Sequence, residues 1–296
     1  MRLSVVHETR YRYANPVALS QQQLHLQPRE LPGQSIQGFG LEILPAAPDI
    51  ALRSDYFGNP MWTFTITSPH EELTVRSRFE AQVAPRAAGL AGAASQRWDE
   101  LRDRLNNLAQ APLLEASNFL YASPHVDLLE ECAAYAAPSF PAGRGILEAA
   151  RELAGRIHAD FRFDPSATTI ATPLREVIAQ RGGVCQDFAH LMIGCLRSLG
   201  LSARYVSGYI LTHPPPGRAR LVGAEASHAW VSVYCPPVGW VDIDPTNDCL
   251  VDDEHVTLGW GRDFSDVTPL RGVILGGGEQ ELAVAVTVTA LPPADA

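Results

Sequence analysis

The period of the hydrophobic pattern changes along this chain, and that change constrains the fold more than any other feature. Residues 73–83 alternate strictly, and one side of the pattern is apolar: Leu73, Val75, Phe79, Ala81 and Val83. A period of two is typical of a strand with one buried face. Turn signals punctuate the first eighty-odd residues, among them Asn15-Pro16, Pro32-Gly33 and Gly58-Asn59-Pro60. We therefore expect residues 1–84 to form a small all-β, sandwich-like domain.

The pattern after residue 84 is different. Residues 85–95 are rich in Ala, Gly, Pro and Arg, which indicates a linker, and we assign residues 85–142 to this linker and a helical region. Helical spacing follows over residues 146–157, and another helix is expected over Val184–Leu199. Strand-like runs come next: Ala203–Leu211, Ala229–Tyr234, Trp240–Ile243 and Leu282–Thr289. This order predicts an α+β fold, with a second domain over residues 143–296.

The charged residues exclude several function classes. The net charge is −10, and all 23 basic side chains are arginine, because the sequence contains no lysine. An acidic chain without a basic patch is a poor partner for nucleic acid or for an anionic membrane. A P-loop phosphate site and Schiff-base chemistry both require a lysine, so neither is expected.

The cysteines and the amino terminus indicate the compartment. The five cysteines form no CxxC pair, and no two Cys or His residues have finger-like spacing, so we expect neither a disulfide framework nor a metal site. Residues 1–13 alternate apolar and polar side chains and lack the apolar core of a signal peptide. No run approaches the roughly 18 apolar residues of a membrane span. We therefore expect a cytoplasmic protein without a membrane partner.

One cysteine stands where a nucleophile would be activated. Cys185 follows Gly182-Gly183 at the expected start of a helix. The positive end of the helix dipole favours thiolate over thiol, and the free N–H groups there could hold an oxyanion. The alternative is a buried structural cysteine, which is the usual role of the residue.

A histidine and an aspartate follow in strand-like segments. His228 begins an apolar run, and Asp244 ends the next run, just before a proline. If these runs are antiparallel strands joined by the CPPVG turn, the carboxylate would lie beside the imidazole and could fix its tautomer. A lone histidine there is more often structural, and Asp242 shares a strand face with Asp244, so it is the rival for the role.

At these residues the chain resembles the transglutaminase-like cysteine enzymes. The resemblance rests on GGVCQDFAH around Cys185, SHAW around His228 and GWVDIDPTN around Asp244. The segments VHETRYRYANPV, DYFGNP and GRDFSDVTPLRGVILGGG resemble the bacterial group that carries a β-rich domain before the core. The resemblance implies a papain-like catalytic domain over residues 143–296. It also implies that Cys185 is the nucleophile, His228 the base and Asp244 the residue that orients the base.

Two departures from the family limit what can be carried over. The family often has a glutamate shortly after the HAW motif, where this chain has Ser232, so no charged side chain fills that position. Animal members of the superfamily use calcium, but no loop of the D-x-[DN]-x-[DN]-G kind is present. We therefore expect no cofactor.

Other residues near the three motifs are candidates for lesser roles. Trp230, Trp240 and Gln186 could shape a substrate groove, although an aromatic residue in a strand belongs more often to the core. Asp187 is expected to face away from the thiol and to stabilise the helix start as a first-turn carboxylate. His190 lies roughly 140° around the helix from the thiol and is not expected to be catalytic.

The reaction class expected from these residues is acyl transfer through a cysteine. Water would make the chain a peptidase or amidase that acts on a peptide or protein, and this is the leading hypothesis because water is abundant. An amine acceptor would make it a protein-glutamine gamma-glutamyltransferase. A binding module that has lost activity is the third alternative, although such modules usually lack part of the triad.

Overall fold

The computed structural model of the chain describes residues 1–90, 92–107, 111–213 and 227–292. The strands in these ranges are β1 Arg2–Leu24, β2 Gln34–Leu44, β3 Asp49–Ser54, β4 Pro60–Ile66, β5 His70–Val83, β6 Arg162–Phe163, β7 Gly182–Gly183, β8 Ala203–Ile210, β9 His228–Cys235, β10 Gly239–Asp244, β11 Cys249–Leu250, β12 His255–Gly261, β13 Leu270–Gly276 and β14 Gln280–Leu291. The helices are α1 Trp98–Asn106, α2 Ala111–Ser117, α3 Glu130–Ala136, α4 Ile146–Asp160, α5 Leu174–Gln180 and α6 Cys185–Ser198. Across these ranges, no helix is both long and apolar enough to cross a membrane.

Strand β1 is the centre of the larger sheet. Its first half pairs with β5 and β14, and its second half pairs with β4 and β13, all antiparallel. Strands β2 and β3 extend the sheet beyond β5 and β4. The alternating residues 73–83 lie in β5 and bury Leu73, Val75 and Phe79, as the period of two predicted.

The end of the chain differs from the sequence-based expectation. Residues 270–291 were assigned to the second domain, but as β13 and β14 they pair with β1. The physical reason is burial, because Val286 and Val288 on β14 share an apolar cluster with Leu3 and Val5 on β1. Both ends of the chain therefore build the β domain.

Helix α6 packs on the smaller sheet, whose described strands run in the order β11-β10-β9-β8-β12. Ala229, Val231 and Val233 on β9 share one apolar core with buried residues of α6. The alternate residues of β9, beginning with His228 and Trp230, lie on the other face. This helix-on-sheet arrangement confirms the predicted α+β fold with a papain-like core.

The two sheets are joined by one apolar cluster and by polar contacts. Val5 and Phe79 of the larger sheet pack with Tyr209 and Val256 of the smaller one. The buried side-chain amide of Gln34 donates to the carbonyl of Thr257 and accepts from its N–H, both at 2.8 Å. The smaller sheet is therefore packed against the β domain, and the two share this apolar cluster.

Candidate active site

The start of α6 is built to present Cys185. Val184 is extended and precedes the helix, and Asp187 in the first turn accepts the N–H of Val184 at 2.8 Å and the hydroxyl of Thr168 at 2.6 Å. This is the first-turn carboxylate that the sequence predicted. A Cβ on Gly183 would lie 2.5 Å from the Asp187 carboxylate, so the glycine before the helix leaves room for this bond.

Cys185 itself is only partly buried, so its thiol is accessible. Its Sγ lies 4.0 Å from the carbonyl oxygen of Ser227, the residue before His228. Cys132, Cys195 and Cys235 are buried instead, and burial raises the pKa of the thiols of Cys195 and Cys235. The pKa of Cys249 is raised to about 12 by burial and by neighbouring carboxylates such as Asp244.

His228 and Asp244 form a buried hydrogen-bonded pair. Strands β9 and β10 are antiparallel and in register from Gly239 opposite Cys235 to Ile243 opposite Val231, which brings the start of β9 beside the end of β10. Nε2 of His228 lies 2.7 Å from Oδ2 of Asp244. Burial alone would lower the pKa of His228, but hydrogen bonds to Asp244 and Cys185 raise it to about 10.

Asp244 is fully buried and is surrounded by hydrogen-bond donors. Its Oδ1 accepts the backbone N–H groups of Thr246 at 2.9 Å and of Asn247 at 3.3 Å. Its Oδ2 accepts from His228, from the Asn247 amide at 2.7 Å and from His255 Nε2 at 3.4 Å. Burial would raise the pKa of this carboxyl, but these donors hold it well below its usual range. The carboxylate is therefore ionised at every pH near neutrality.

The rival carboxylate, Asp242, has a different partner. Its Oδ2 accepts the indole N–H of Trp230 at 3.2 Å, and Arg86 lies 4.0 Å away. The imidazole of His228 is thus paired with Asp244, the carboxylate that the sequence motif predicted. Asp242 instead accepts the indole N–H of Trp230.

A cavity of about 840 Å³ opens at the thiol. Its lining includes Cys185, Gln186, His228 and Asn247, together with an apolar group: Phe163, Pro165, Val184, Ile210, Leu211 and Phe264. Glu254 and His213 stand in the same lining, 2.8 Å apart. The cavity can therefore receive an apolar acyl group at the thiol, and Glu254 supplies the carboxylate among its described lining residues.

Of the three residues considered for a substrate groove, only Gln186 lines this cavity. Trp230 is fully buried and packs with Val206 and Val251. The ring of Trp240 packs against Phe119, with the guanidinium of Arg204 4.3 Å from its centroid. Both indoles therefore lie in packing positions, which is the alternative that the strand pattern favoured.

The position that departs from the family is buried in the sheet. Ser232 is fully buried, opposite Arg204 on β8 and Asp242 on β10. Arg204 is buried as well, which lowers the pKa of its guanidinium to about 10, and its ring partners are Trp240 and Trp260. Charged groups thus flank Ser232 on both neighbouring strands, although the serine carries none.

Two residues of the site were not predicted from the sequence. Asn247 lies three residues after Asp244 in the motif GWVDIDPTN, and a capping role there was the available signal. His255 begins β12, and the one sequence feature that could have drawn attention to it is a polar residue at the start of an apolar run. Among the described residues, His228, Asp244 and His255 offer ligand atoms within 4.8 Å of one another. Asn247 points its amide at two of these residues, so the group suits a hydrogen-bonded chain better than a cation.

The sequence is similar to two protein-family models and to several bacterial proteins. Residues 3–82 match the bacterial transglutaminase-like N-terminal region, and residues 135–245 match the transglutaminase-like superfamily. An uncharacterized protein of Mycobacterium tuberculosis is 41% identical over 297 residues, which cover 98% of this chain and 93% of that protein. A second uncharacterized protein, from Mycobacterium leprae, is 32% identical over 98% of this chain and 99% of its own length.

Two further matches concern proteins with a named activity. A protein-glutamine gamma-glutamyltransferase of Pseudomonas aeruginosa is 34% identical over 94 residues, which are 29% of this chain and 14% of that protein. The crystal structure of a proposed cysteine protease from Cytophaga hutchinsonii covers 100% of this chain and 92% of its own, with a TM-score of 0.75 at 17% identity. At that identity the likeness concerns the fold.

Proposed function

This chain belongs to the transglutaminase-like superfamily, with the bacterial N-terminal region ahead of the core, and we propose that it is a thiol-dependent amide hydrolase, a peptidase or amidase. The observation that carries the proposal is the buried pair of His228 and Asp244, 2.7 Å apart, beside a partly exposed Cys185 at a helix start. The cavity at the thiol would receive a peptide or a protein segment. No cofactor takes part in the proposed chemistry.

The proposed reaction proceeds through an acyl-enzyme. The proton of the Cys185 thiol is taken up at Nδ1 of His228, because Nε2 already faces Asp244, and the imidazolium that results is the form that persists through neutral pH. The thiolate forms a bond to the amide carbon, and the electron pair of the C=O bond moves onto oxygen. First-turn N–H groups of α6 have no acceptor inside the helix and would stabilise this oxyanion. The imidazolium then protonates the leaving amine as the C–N bond breaks, and water cleaves the thioester with His228 as base.

Acyl transfer to an amine is the second candidate function. The similarity to a gamma-glutamyltransferase over 94 residues favours it, and so does Glu254, whose carboxylate could attract a cationic amine to the cavity. The chain contains no lysine, so it offers no ε-amine of its own as the acceptor. Any ε-amine acceptor would therefore come from another molecule.

An inactive binding module is disfavoured by the site itself. Modules that lose activity have no reason to retain a nucleophile, a base and a buried orienting carboxylate together. Here all three are present, and Asp244 alone receives five donor contacts. Burying a carboxylate costs desolvation free energy even when donors offset part of it, so a binding module would gain nothing by keeping one.

The test is mass spectrometry of products from a mixed peptide library, incubated with the protein in the presence and absence of a primary amine. Hydrolysis predicts new free carboxylates in both samples, and transfer predicts products heavier by the amine only when the amine is added. The matched control is Cys185→Ala, which keeps the helix start but removes the thiol. Equal turnover by Cys185→Ala would contradict both candidate functions.

A further inference from the structure

His255 is a buried histidine outside the predicted triad, and it contacts the carboxylate of Asp244. Its Nε2 lies 3.4 Å from Oδ2 of Asp244, and its ring is 4% exposed. It stands at the first position of β12, a strand that lies at the far edge of the smaller sheet from β10. A second element therefore reaches the carboxylate that β10 supplies.

The tautomer of His255 follows from its other nitrogen. Nδ1 of His255 accepts the backbone N–H of Asp252 at 3.4 Å. A neutral imidazole that accepts at Nδ1 carries its proton on Nε2. The nitrogen that faces Asp244 is therefore the donor, and the contact is an N–H donated to a carboxylate.

The backbone and ring of His255 are fixed by their surroundings. Arg86 donates to the carbonyl of His255 at 3.0 Å. The indole of Trp230 stands edge-on to the ring, with centroids 5.4 Å apart. Trp230 reaches this place because Gly208 leaves its path open, since a Cβ there would lie 2.3 Å from the indole. The donor is thus held rigidly on one oxygen of Asp244.

We propose that His255 is a positioning residue that holds Oδ2 of Asp244 against His228. Asp244 also accepts hydrogen bonds from His228, from Asn247 and from two backbone N–H groups. Nδ2 of Asn247 and Nε2 of His228 are themselves 3.4 Å apart. Among the described residues, His255 is the one donor besides His228 that approaches Oδ2 from a separate strand, so it prevents the carboxylate from turning away when the imidazole moves toward substrate. This inference rests on the proposed function, because a positioned imidazole matters only if Cys185 reacts.

The titratable groups around the pair are few in the described residues. Cys185 faces His228 from α6, and Asp242 reaches the region through the indole of Trp230. Arg86 contacts the carbonyl of His255. The same cavity is lined by four further titratable residues: Tyr205, His213, Cys249 and Glu254. Because Asp244 stabilises the imidazolium of His228, a carboxylate that turned away would let that proton leave at lower pH. The alkaline limb of turnover therefore reports the position of Asp244, because the imidazolium must protonate the leaving amine, and the rate of thiol alkylation near neutral pH reports the thiolate–imidazolium pair without any substrate.

The experiment compares His255→Gln with His255→Asn. The amide nitrogen of Gln can occupy the place of Nε2 and donate to Asp244, whereas Asn can replace the contact of Nδ1 with Asp252 but is too short to reach the carboxylate. We expect Asn to lower the rate of Cys185 alkylation by iodoacetamide near neutral pH and the turnover at least tenfold, and to move the alkaline limb of turnover about one pH unit lower. Gln should restore most of the rate and the limb. His255→Phe, which keeps the ring against Trp230, should behave like Asn.

Thermal melting and two reference variants separate the outcomes. Equal losses in Gln and Asn with lowered melting temperatures, or an unmoved limb in Asn and Phe, would overturn the positioning role. Cys185→Ala and Asp244→Asn test the proposed function itself. If neither abolishes turnover, the proposed function fails, whereas a failure of His255 alone leaves the triad intact.

Discussion

At the scale of single residues, the two carboxylates on β10 have distinct partners although they share a strand face. Asp244 faces His228, and Asp242 faces the indole of Trp230. Asp244→Asn should keep the fold, because the side chains are nearly isosteric. It should lower turnover on the order of a thousandfold or more, since an amide can present its N–H₂ to the imidazole and favour the wrong tautomer, as in the Ser-His-Asp proteases.

Asp242→Asn is the matched control for that prediction. It should retain turnover within a few-fold, because its contact to Trp230 is not on the path of the proton. Steady-state rates with melting curves on both variants make the comparison. Loss of activity in Asp242→Asn alone would mean that Asp242, and not Asp244, orients the imidazole of His228.

The raised pKa of His228 predicts how activity responds to alkaline pH. Its folded pKa of about 10 lies above the ordinary value of roughly 6.5, so the imidazolium is present through neutral pH and is lost as pH rises through about 10. We expect turnover to have an alkaline limb, because the imidazolium must protonate the leaving amine, and Asp244→Asn should move that limb to lower pH. A limb near pH 6.5 in the unsubstituted protein would contradict the pairing.

At the scale of elements, the absence of a side chain at Gly208 on β8 leaves room for β12 and for the indole of Trp230 beside the site. A Cβ there would lie 2.2 Å from the carbonyl of Val256 and 2.3 Å from the Trp230 indole. Gly208→Ala should therefore destabilise the protein by about 1–3 kcal/mol, as overpacking does, and lower turnover because Trp230 adjoins His228 and His255. Gly89→Ala is the control, because a Cβ at Gly89 meets nothing within 4 Å. Denaturant unfolding of both variants checks it, and equal stability would contradict the packing account.

The elements also show how far the sequence could predict the site. The helix start at Cys185 and the carboxylate of Asp187 follow from local chemistry, since caps and dipoles act within one turn. The pairing of β9 with β10 follows from a short turn between them. His255 could not be found in this way, because its contact to Asp244 depends on how β12 is placed by β8, and periodicity does not specify which strands become neighbours.

At the scale of the whole molecule, strands from both ends of the chain pair in the β domain, and this domain shares an apolar cluster with the smaller sheet. Sequence patterns predicted strands near both ends, but not that β14 would pair with β1, since strand alternation does not encode a partner more than 200 residues away. A fragment beginning at residue 97 would lose β1 as the partner of β13 and β14. It would also expose the cluster around Tyr209 and Val256. We expect this fragment to be poorly soluble or to melt at a lower temperature.

A protease site placed in residues 88–92 gives the control for that prediction. Cleavage there leaves every strand present, so the two pieces should stay together in gel filtration and keep their activity. A fragment from residue 97 that is monomeric, soluble and fully active would contradict the shared core.

The central claim is that Cys185 is the nucleophile of an acyl-enzyme, and intact-mass spectrometry after an acid quench tests it most directly. The protein is mixed with an activated ester of an N-acylated amino acid and quenched within the first turnovers. The account predicts one added acyl mass, mapped to Cys185 by peptide analysis and missing in Cys185→Ala. Turnover with no acyl adduct in the unsubstituted protein, or an adduct mapped to Cys249 or another residue, would contradict it.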